Sequence, residues 1–214
     1  MSHMTALSIA ASAALFACNM VGLAQSAVPC GQTLGAPLRP NATLSINSIS
    51  AGVEIVGTDQ NTVRVSCSAD DMDSARQVQL QLTGTPTGAK LTFTGPHLRH
   101  GKLTVRIEVP RKTNLGLEMA AGDVKVGEVV GDKDLTLRAG AITVSSSHAS
   151  NYKDVNASVA IGEVNISPDG EAKGGFFRDF RKQNPHGQYR LHAHVTTGKI
   201  VLIGMSTHDA VGPE

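Results

Sequence analysis

Aromatic residues are scarce in this chain of 214 residues: they make up 3% of it, with two Tyr, five Phe and no Trp. A core must therefore be built from Val, Ile, Leu and Ala. Charged residues are also few, at 17%, and the formal net charge is +1. This composition excludes a highly charged disordered chain. It also excludes the strong positive field that attracts nucleic acid, so we expect no nucleic acid among the partners.

The N-terminal segment lacks charge altogether between Thr5 and Leu23 and is rich in Ala. Its position and the small residues that follow predict a secretory signal peptide over residues 1–24. The alternatives are a lipoprotein signal, Leu15–Cys18, with the lipid anchor on Cys18, and an uncleaved anchor. We expect an exported protein, periplasmic, cell-surface or extracellular, without a transmembrane domain in its mature form.

Cysteine is limited to three residues, Cys18, Cys30 and Cys67. Removal of the signal peptide would leave two, and an even pair in an oxidising compartment permits a Cys30–Cys67 disulfide. Two unpaired thiols are the alternative. Neither cysteine has another Cys or His at the spacing of a metal site, so we expect no metal and no cofactor.

Apolar residues alternate with polar ones from Ala42 onward, as they do along Leu103–Val109. This period of two predicts an all-β protein, in which only residues 70–77 favour a short helical turn. We expect a linker over residues 25–41, one β domain over 42–205 and a tail over 206–214.

The second half of the chain contains an internal repeat. Three segments align at a spacing of 20 residues from Leu115, and a fourth follows an insertion. Each has alternating apolar positions on both sides of a glycine bend, and an earlier copy bends at Gly52. The four bend glycines are Gly122, Gly140, Gly162 and Gly198. This pattern predicts a β-solenoid, because stacked coils bury the residues that one coil leaves exposed. An antiparallel sandwich or prism uses the same alternation and is the alternative.

These repeats resemble the bacterial domain of unknown function named "putative adhesin". The stretches that carry the resemblance lie within residues 42–203 and read GVEIVGTDQNTVRV, LEMAAGDVKV, LRAGAITV, ASVAIGEVNI and HVTTGKIVLIG. The resemblance implies a right-handed, single-stranded β-helix-like fold on an exported or membrane-associated protein. It carries over no catalytic residue.

Two polar clusters invite a chemical interpretation. The run Ser145–His148 places hydroxyls near an imidazole, but it lacks the strand–turn–helix setting of a hydrolase nucleophile. Asp70, Asp71 and Asp73 offer oxygen ligands without the full spacing of a Ca²⁺ loop. We expect both clusters to be polar turns.

Two residue pairs belong to the repeats themselves. Asp123 and Glu163 both follow a bend glycine, and a glycosidase needs two carboxyl groups at a defined separation. His192 and His194 face the same side of a strand and would bind a metal if a third ligand, such as His186 or His208, approached. We expect exposed positions for both pairs, and therefore no catalytic set and no metal site.

The insertion over residues 167–188, expected to be a loop, holds three of the five Phe residues. These aromatic residues alternate with basic ones, and the candidate contact residues are Phe176, Phe177, Arg178, Phe180 and Arg181. The segment would either cap the open end of the repeat array or form an exposed contact patch.

Charge is distributed unevenly. Residues 90–112 contain six basic residues and one acidic residue, whereas residues 117–170 contain four basic and eight acidic residues. This polarity favours an envelope protein or an anionic polymer or surface as the partner. We therefore expect a non-enzymatic, exported cell-envelope protein with a structural or adhesive role. A polysaccharide-active β-helix enzyme and a regulatory envelope protein are the alternatives.

Overall fold

The computed structural model describes residues 23–24, 27–95, 103–146, 149–167 and 171–205. The predicted signal sequence up to residue 22, including Cys18, and the tail over 206–214 lie outside the described residues. The strands are β1 (Leu23–Ala24), β2 (Val28–Pro29), β3 (Leu34–Pro37), β4 (Thr43–Thr58), β5 (Thr62–Ala69), β6 (Gln79–Thr85), β7 (Gly88–Thr94), β8 (Leu103–Pro110), β9 (Asn114–Gly127), β10 (Lys133–Ser145), β11 (Tyr152–Ser167), β12 (Glu171–Gln183) and β13 (Tyr189–Ile203).

Helix is confined, in this part of the chain, to α1 (Met72–Ala75) and a 3₁₀ turn (Ala149–Asn151). The helical turn expected over residues 70–77 therefore forms. All thirteen strands belong to one mixed sheet. The predicted all-β class is confirmed.

The long strands each consist of two limbs that meet at a corner. In β10, Leu135 and Leu137 are buried before the corner, and Ile142 and Val144 are buried after it. All four belong to the same hydrophobic core, to which β4, β9, β11 and β13 contribute in the same way. Burying each such side chain contributes about 2 kcal/mol, so the alternation seen in the sequence accounts for the core.

Glycine forms the corner itself. Gly122, Gly140, Gly198 and Gly162 lie opposite one another in neighbouring parallel strands. Their φ angles lie between 128° and 142°, a region that L-amino acids with a side chain rarely adopt. A Cβ atom at Gly140 would also overlap the carbonyl oxygen of Gly122. In β4 the residue opposite Gly122 is Ala51, so the expected bend at Gly52 is wrong by one residue.

The spacing between β9 and β10 is 18 residues, because Gly122 pairs with Gly140 and Leu117 with Leu135. The expected spacing of 20 is therefore incorrect for these strands. With the observed register, Lys133 lies opposite Leu115, at a position that is apolar in the neighbouring strands.

The order of the strands differs from a sequential solenoid. The parallel strands run β4–β9–β10–β13–β11, and β12 follows antiparallel to β11. The last strand of the described residues, β13, thus lies between β10 and β11, and not at the end of the array. Limbs that face each other across one core are also compatible with the sandwich alternative.

Two segments without predicted structure are part of the sheet. The expected linker supplies β2 and β3 and buries Leu34, Ala36 and Leu38. The expected loop over residues 167–188 forms β12 along most of its length. Both segments contain several Pro and Gly residues, which is why their sequences resemble connections.

A disulfide joins Cys30 to Cys67, with 5.2 Å between their Cα atoms. Cys30 follows β2, which pairs with β6, and Cys67 lies in β5, which pairs with β8. The bond therefore connects strands that belong to the two different limbs.

Candidate functional site

The terminal strand β12 carries the sequence-predicted contact residues. It is the last strand of the array, and the described chain places no strand on its outer edge. Its register with β11 sets Lys182 opposite Val155, Phe180 opposite Ala157 and Arg178 opposite Val159. Of these three positions facing core residues, only Phe180 is apolar, and it is partly buried against the core. Phe180 therefore covers the end of the core.

Phe176 and Phe177 lie in a different environment. Their exposed fractions are 69% and 84%, the largest among the big apolar side chains of the described residues. Ile161, opposite Phe176 on β11, is also 48% exposed. Phe176 and Ile161 lie opposite each other at the corner of the last two strands, and Phe177 follows Phe176 in the chain.

Two basic side chains follow these aromatic residues along β12. Arg178 is exposed and its Nε donates a hydrogen bond to the carbonyl oxygen of Gly174 at 2.8 Å. Arg181 is exposed, and its Nε lies 3.5 Å from Asp179 Oδ2. We call Phe176, Phe177, Arg178 and Arg181 the β12 patch. A surface ion pair of this kind contributes little to stability, so these arginines remain available to a partner.

An open groove of about 530 Å³ runs along the corner glycines, across β9, β10, β13, β11 and β12. Its floor is the backbone of Gly140, Gly198 and Gly162, and it ends at Gly174 on β12. One side consists of the residues that follow the corner glycines on successive strands: Asp123, Ala141, Lys199 and Glu163. The groove therefore has charged groups of both signs above a floor without side chains.

Asp123 and Glu163 both line this groove but are not neighbours. Two strands, carrying Ala141 and Lys199, separate them. Three strand spacings correspond to about 14 Å, whereas the carboxyl groups of glycosidases lie roughly 5–9.5 Å apart. This pair does not have the geometry of a glycosidase.

The two histidines of β13 bind neighbouring side chains. His192 Nδ1 lies 3.0 Å from Asp134 Oδ1, and His194 Nδ1 lies 2.9 Å from Ser158 Oγ. Across the described ranges, no group of three His, Cys, Asp or Glu side chains is arranged to hold a metal ion. His208 lies outside those ranges.

The other two polar clusters have structural partners. Asp71 Oδ1 accepts a hydrogen bond from the backbone of Asp73 at the start of α1, and Asp73 lies 3.6 Å from Arg76. Ser146 is buried, and Ser147 and His148 lie outside the described residues.

The basic segment over residues 90–112 has acidic neighbours on β4 and in the turn that follows it. Arg106 Nη1 donates to Glu54 Oε2 at 2.7 Å, and Arg111 Nε donates to Asp59 Oδ1 at 2.7 Å. The Arg111 guanidinium holds the pKa of the Asp59 carboxyl below its usual value. These contacts reduce the predicted charge polarity of the molecule.

A buried polar site was missed by the sequence analysis. Lys133 Nζ donates to the carbonyl oxygens of Val129 at 2.8 Å and Gly131 at 3.2 Å, and it also contacts the hydroxyl of Tyr152. Burial lowers the pKa of Lys133 to about 7 and raises the pKa of Tyr152. The 18-residue register would have revealed Lys133, because it places this residue in an apolar position.

No helix in the described parts of the chain combines the length and the apolar character that crossing a membrane requires.

No family model and no curated protein matches the chain. Among solved structures, a "putative cell adhesion protein" from Clostridium sporogenes is similar with 12% identity and a TM-score of 0.48, over 80% of this chain and 98% of that chain. A "putative adhesin" from Bacteroides fragilis is similar with 9% identity and a TM-score of 0.21, over 81% of this chain and 98% of that chain.

Proposed function

We propose that this chain is a non-enzymatic, exported cell-envelope protein that attaches to an anionic polymer or membrane surface through the β12 patch. The observation that carries the proposal is the contrast among three neighbouring aromatics: Phe180 packs against the core, while Phe176 and Phe177 are 69% and 84% exposed. Phe180 suffices to cover the core, so the two exposed rings are available for contact.

The chemistry of the patch favours an anionic partner. Along residues 176–182, three basic side chains accompany one acidic side chain, Asp179. Arginine beside exposed aromatic rings is a common composition of binding hot spots. Basic residues near an anionic surface gain roughly 1 kcal/mol each.

Export is the second element of the proposal, and the Cys30–Cys67 disulfide supports it, because such bonds persist in oxidising compartments. We propose cleavage of a signal peptide after Ala24, with lipidation of Cys18 as the alternative. Mass spectrometry of the mature N-terminus distinguishes the two.

For the fold, we propose solenoid-like stacking of two-limbed layers, supported by the residue-for-residue parallel register of β9, β10, β13 and β11.

The test of binding uses vesicles with and without anionic lipid, together with immobilised teichoic acid. We expect wild-type protein to bind at least one anionic probe, and the triple variant Phe177→Ser, Arg178→Gln, Arg181→Gln to bind it roughly tenfold more weakly or less. The matched control is Lys125→Gln with Arg138→Gln, which removes two exposed charges elsewhere. Equal loss in both variants, or no binding by wild type, contradicts the proposed patch.

Stability measurements separate the two roles of the aromatics. Phe176→Ser with Phe177→Ser should change the free energy of unfolding by less than about 0.5 kcal/mol. Phe180→Ser should lower it by about 2 kcal/mol, because a packed ring is lost.

A further inference from the structure

The corner groove has a backbone floor that is unusual for a sheet surface. Each floor glycine lies directly against the next, so that a Cβ at Gly198 would overlap the carbonyl oxygen of Gly140 and one at Gly162 that of Gly198. Side chains are therefore excluded from the floor along three spacings, from β9 to β11, or about 14 Å. A ligand on this floor must be elongated and must contact a flat surface.

The rows beside the floor differ in chemistry. The residues that follow the corner glycines include Asp123, Lys199 and Glu163. The residues that precede the corner glycines of β13 and β11 are Thr197 and Ile161, and Phe176 of the antiparallel β12 lies opposite Ile161. A ligand in the groove would therefore meet hydrogen-bonding groups along one side, and exposed apolar side chains at the β12 end of the other.

The charges along the groove indicate whether it suits an anionic, a cationic or a neutral ligand. Lys199 lies between the strands of Asp123 and Glu163, so a polyanion would meet two carboxylates and a polycation would meet the ammonium group. Hydroxyl groups, in contrast, can donate to both carboxylates and accept from Lys199.

We propose that the corner groove binds a neutral, extended oligosaccharide. Its hydroxyl groups bond to Asp123, Lys199 and Glu163, and its carbon–hydrogen faces lie on the glycine floor and against Ile161 and Phe176. This is a second binding site. It shares only Phe176 with the β12 patch, so it extends the proposed attachment function without depending on it.

The first test blocks the groove. Ala141 is half-buried in the polar row, and Ala141→Tyr places a ring over the floor. Thr143→Tyr is the matched control, because Thr143 faces outward on the same limb, two residues further along, and does not line the groove. Both variants should keep the far-ultraviolet circular dichroism and melting temperature of the wild type.

Binding is measured on an array of neutral, anionic and amino-containing oligosaccharides of four to six sugars, with extended peptides as a further arm. We expect wild-type protein to bind neutral oligosaccharides above the other classes. Titration calorimetry with the strongest neutral binder should show at least a roughly tenfold loss for Ala141→Tyr and no loss for Thr143→Tyr. Lys199→Gln should also weaken binding severalfold, unlike its control Lys125→Gln.

The outcomes are distinguishable from those of the vesicle test. Ala141→Tyr should keep full binding to the anionic probe, and Phe177→Ser with Arg181→Gln, which leaves the contact between Arg178 and Gly174 intact, should keep full binding to the oligosaccharide. Absence of neutral-glycan binding, preference for peptides or anionic glycans, or equal binding by Ala141→Tyr and wild type would overturn the proposal.

Discussion

The two limbs of the array meet at the corner in two different ways. In β9, β10, β13 and β11 the backbone passes through the corner on a single glycine. Beyond β4 the limbs are separate strands: β7 pairs with the first limb of β4 and β8 with the second, and β6 and β5 follow outside them. There the segment containing α1 connects β5 to β6, and the Cys30–Cys67 disulfide bridges the limbs.

The two corners should therefore respond differently to substitution and to reduction of the disulfide. A glycine corner is held by backbone atoms in contact, so any side chain there collides with the next strand. The outer corner is held by a connecting segment and one covalent bond, so it depends on oxidation. Substitution of a glycine should therefore destabilise the glycine corner, and reduction of the disulfide should destabilise the outer corner.

The largest effect is expected from Gly140→Ala. The added Cβ would overlap the carbonyl oxygen of Gly122, and the residue would have to keep a φ of 128°. We expect the free energy of unfolding to fall by about 4 kcal/mol or more, measured by urea unfolding. The control is Gly127→Ala on β9, where a Cβ meets nothing within 4 Å. If the two variants are equally stable, the glycine corner is not essential.

The pairing within the array also explains what the sequence could and could not predict. Alternation identified inward residues such as Leu135 and Ile142, and the need for a left-handed corner identified Gly140. Alternation alone did not fix the register, because shifts of 18 and 20 residues are both even and leave the same side chains facing inward, whereas aligning the bend glycines Gly122 and Gly140 gives 18. The strand order was not predictable from the sequence, because β11 and β13 have the same two limbs of alternating apolar residues and the same glycine corner.

The candidate sites show the same limit. The sequence singled out Phe176, Phe177 and Phe180, but only the register with β11 separates the ring on the core from the two exposed rings. The groove was not predictable, since its rows consist of single residues from strands far apart in sequence.

The second effect in size is expected from reduction of the disulfide. The bond closes a segment with a sequence separation of 37. Its loss should lower the free energy of unfolding by about 3 kcal/mol. Hydrogen exchange should show faster opening of β2, β3, β5 and β6 than of β10 and β13. A Cys30→Ala, Cys67→Ala variant should not respond to the reductant, and uniform opening of all strands would contradict the local role of this corner.

The smallest change in the free energy of unfolding is expected at Lys133. This residue lies at the start of the first limb of β10, away from the corner, in a region that we call the rim. Its ammonium group reaches the turn before this strand. Burial lowers the pKa of Lys133 to about 7 in the folded protein, from 10.5 in an exposed lysine. Between these two values the unfolded chain binds more protons than the folded one. The free energy of unfolding therefore rises with pH in this interval.

From pH 7.5 to 9 the expected rise is about 2 kcal/mol, measured by urea unfolding at each pH. Lys133→Met removes the titrating group and should remove the rise, whereas Lys125→Met at an exposed position should retain it. Tyr152 does not interfere, because burial raises its pKa above the ordinary value and it stays neutral throughout this range. Parallel pH profiles for wild type and Lys133→Met would mean that Lys133 keeps its proton in the folded protein. In that case, the hydrogen bonds from Lys133 to the carbonyl oxygens of Val129 and Gly131 would stabilise the ammonium group more than burial destabilises it. The rim would then be stabilised by a charged side chain, whereas the corner is stabilised by contacts between glycine backbones.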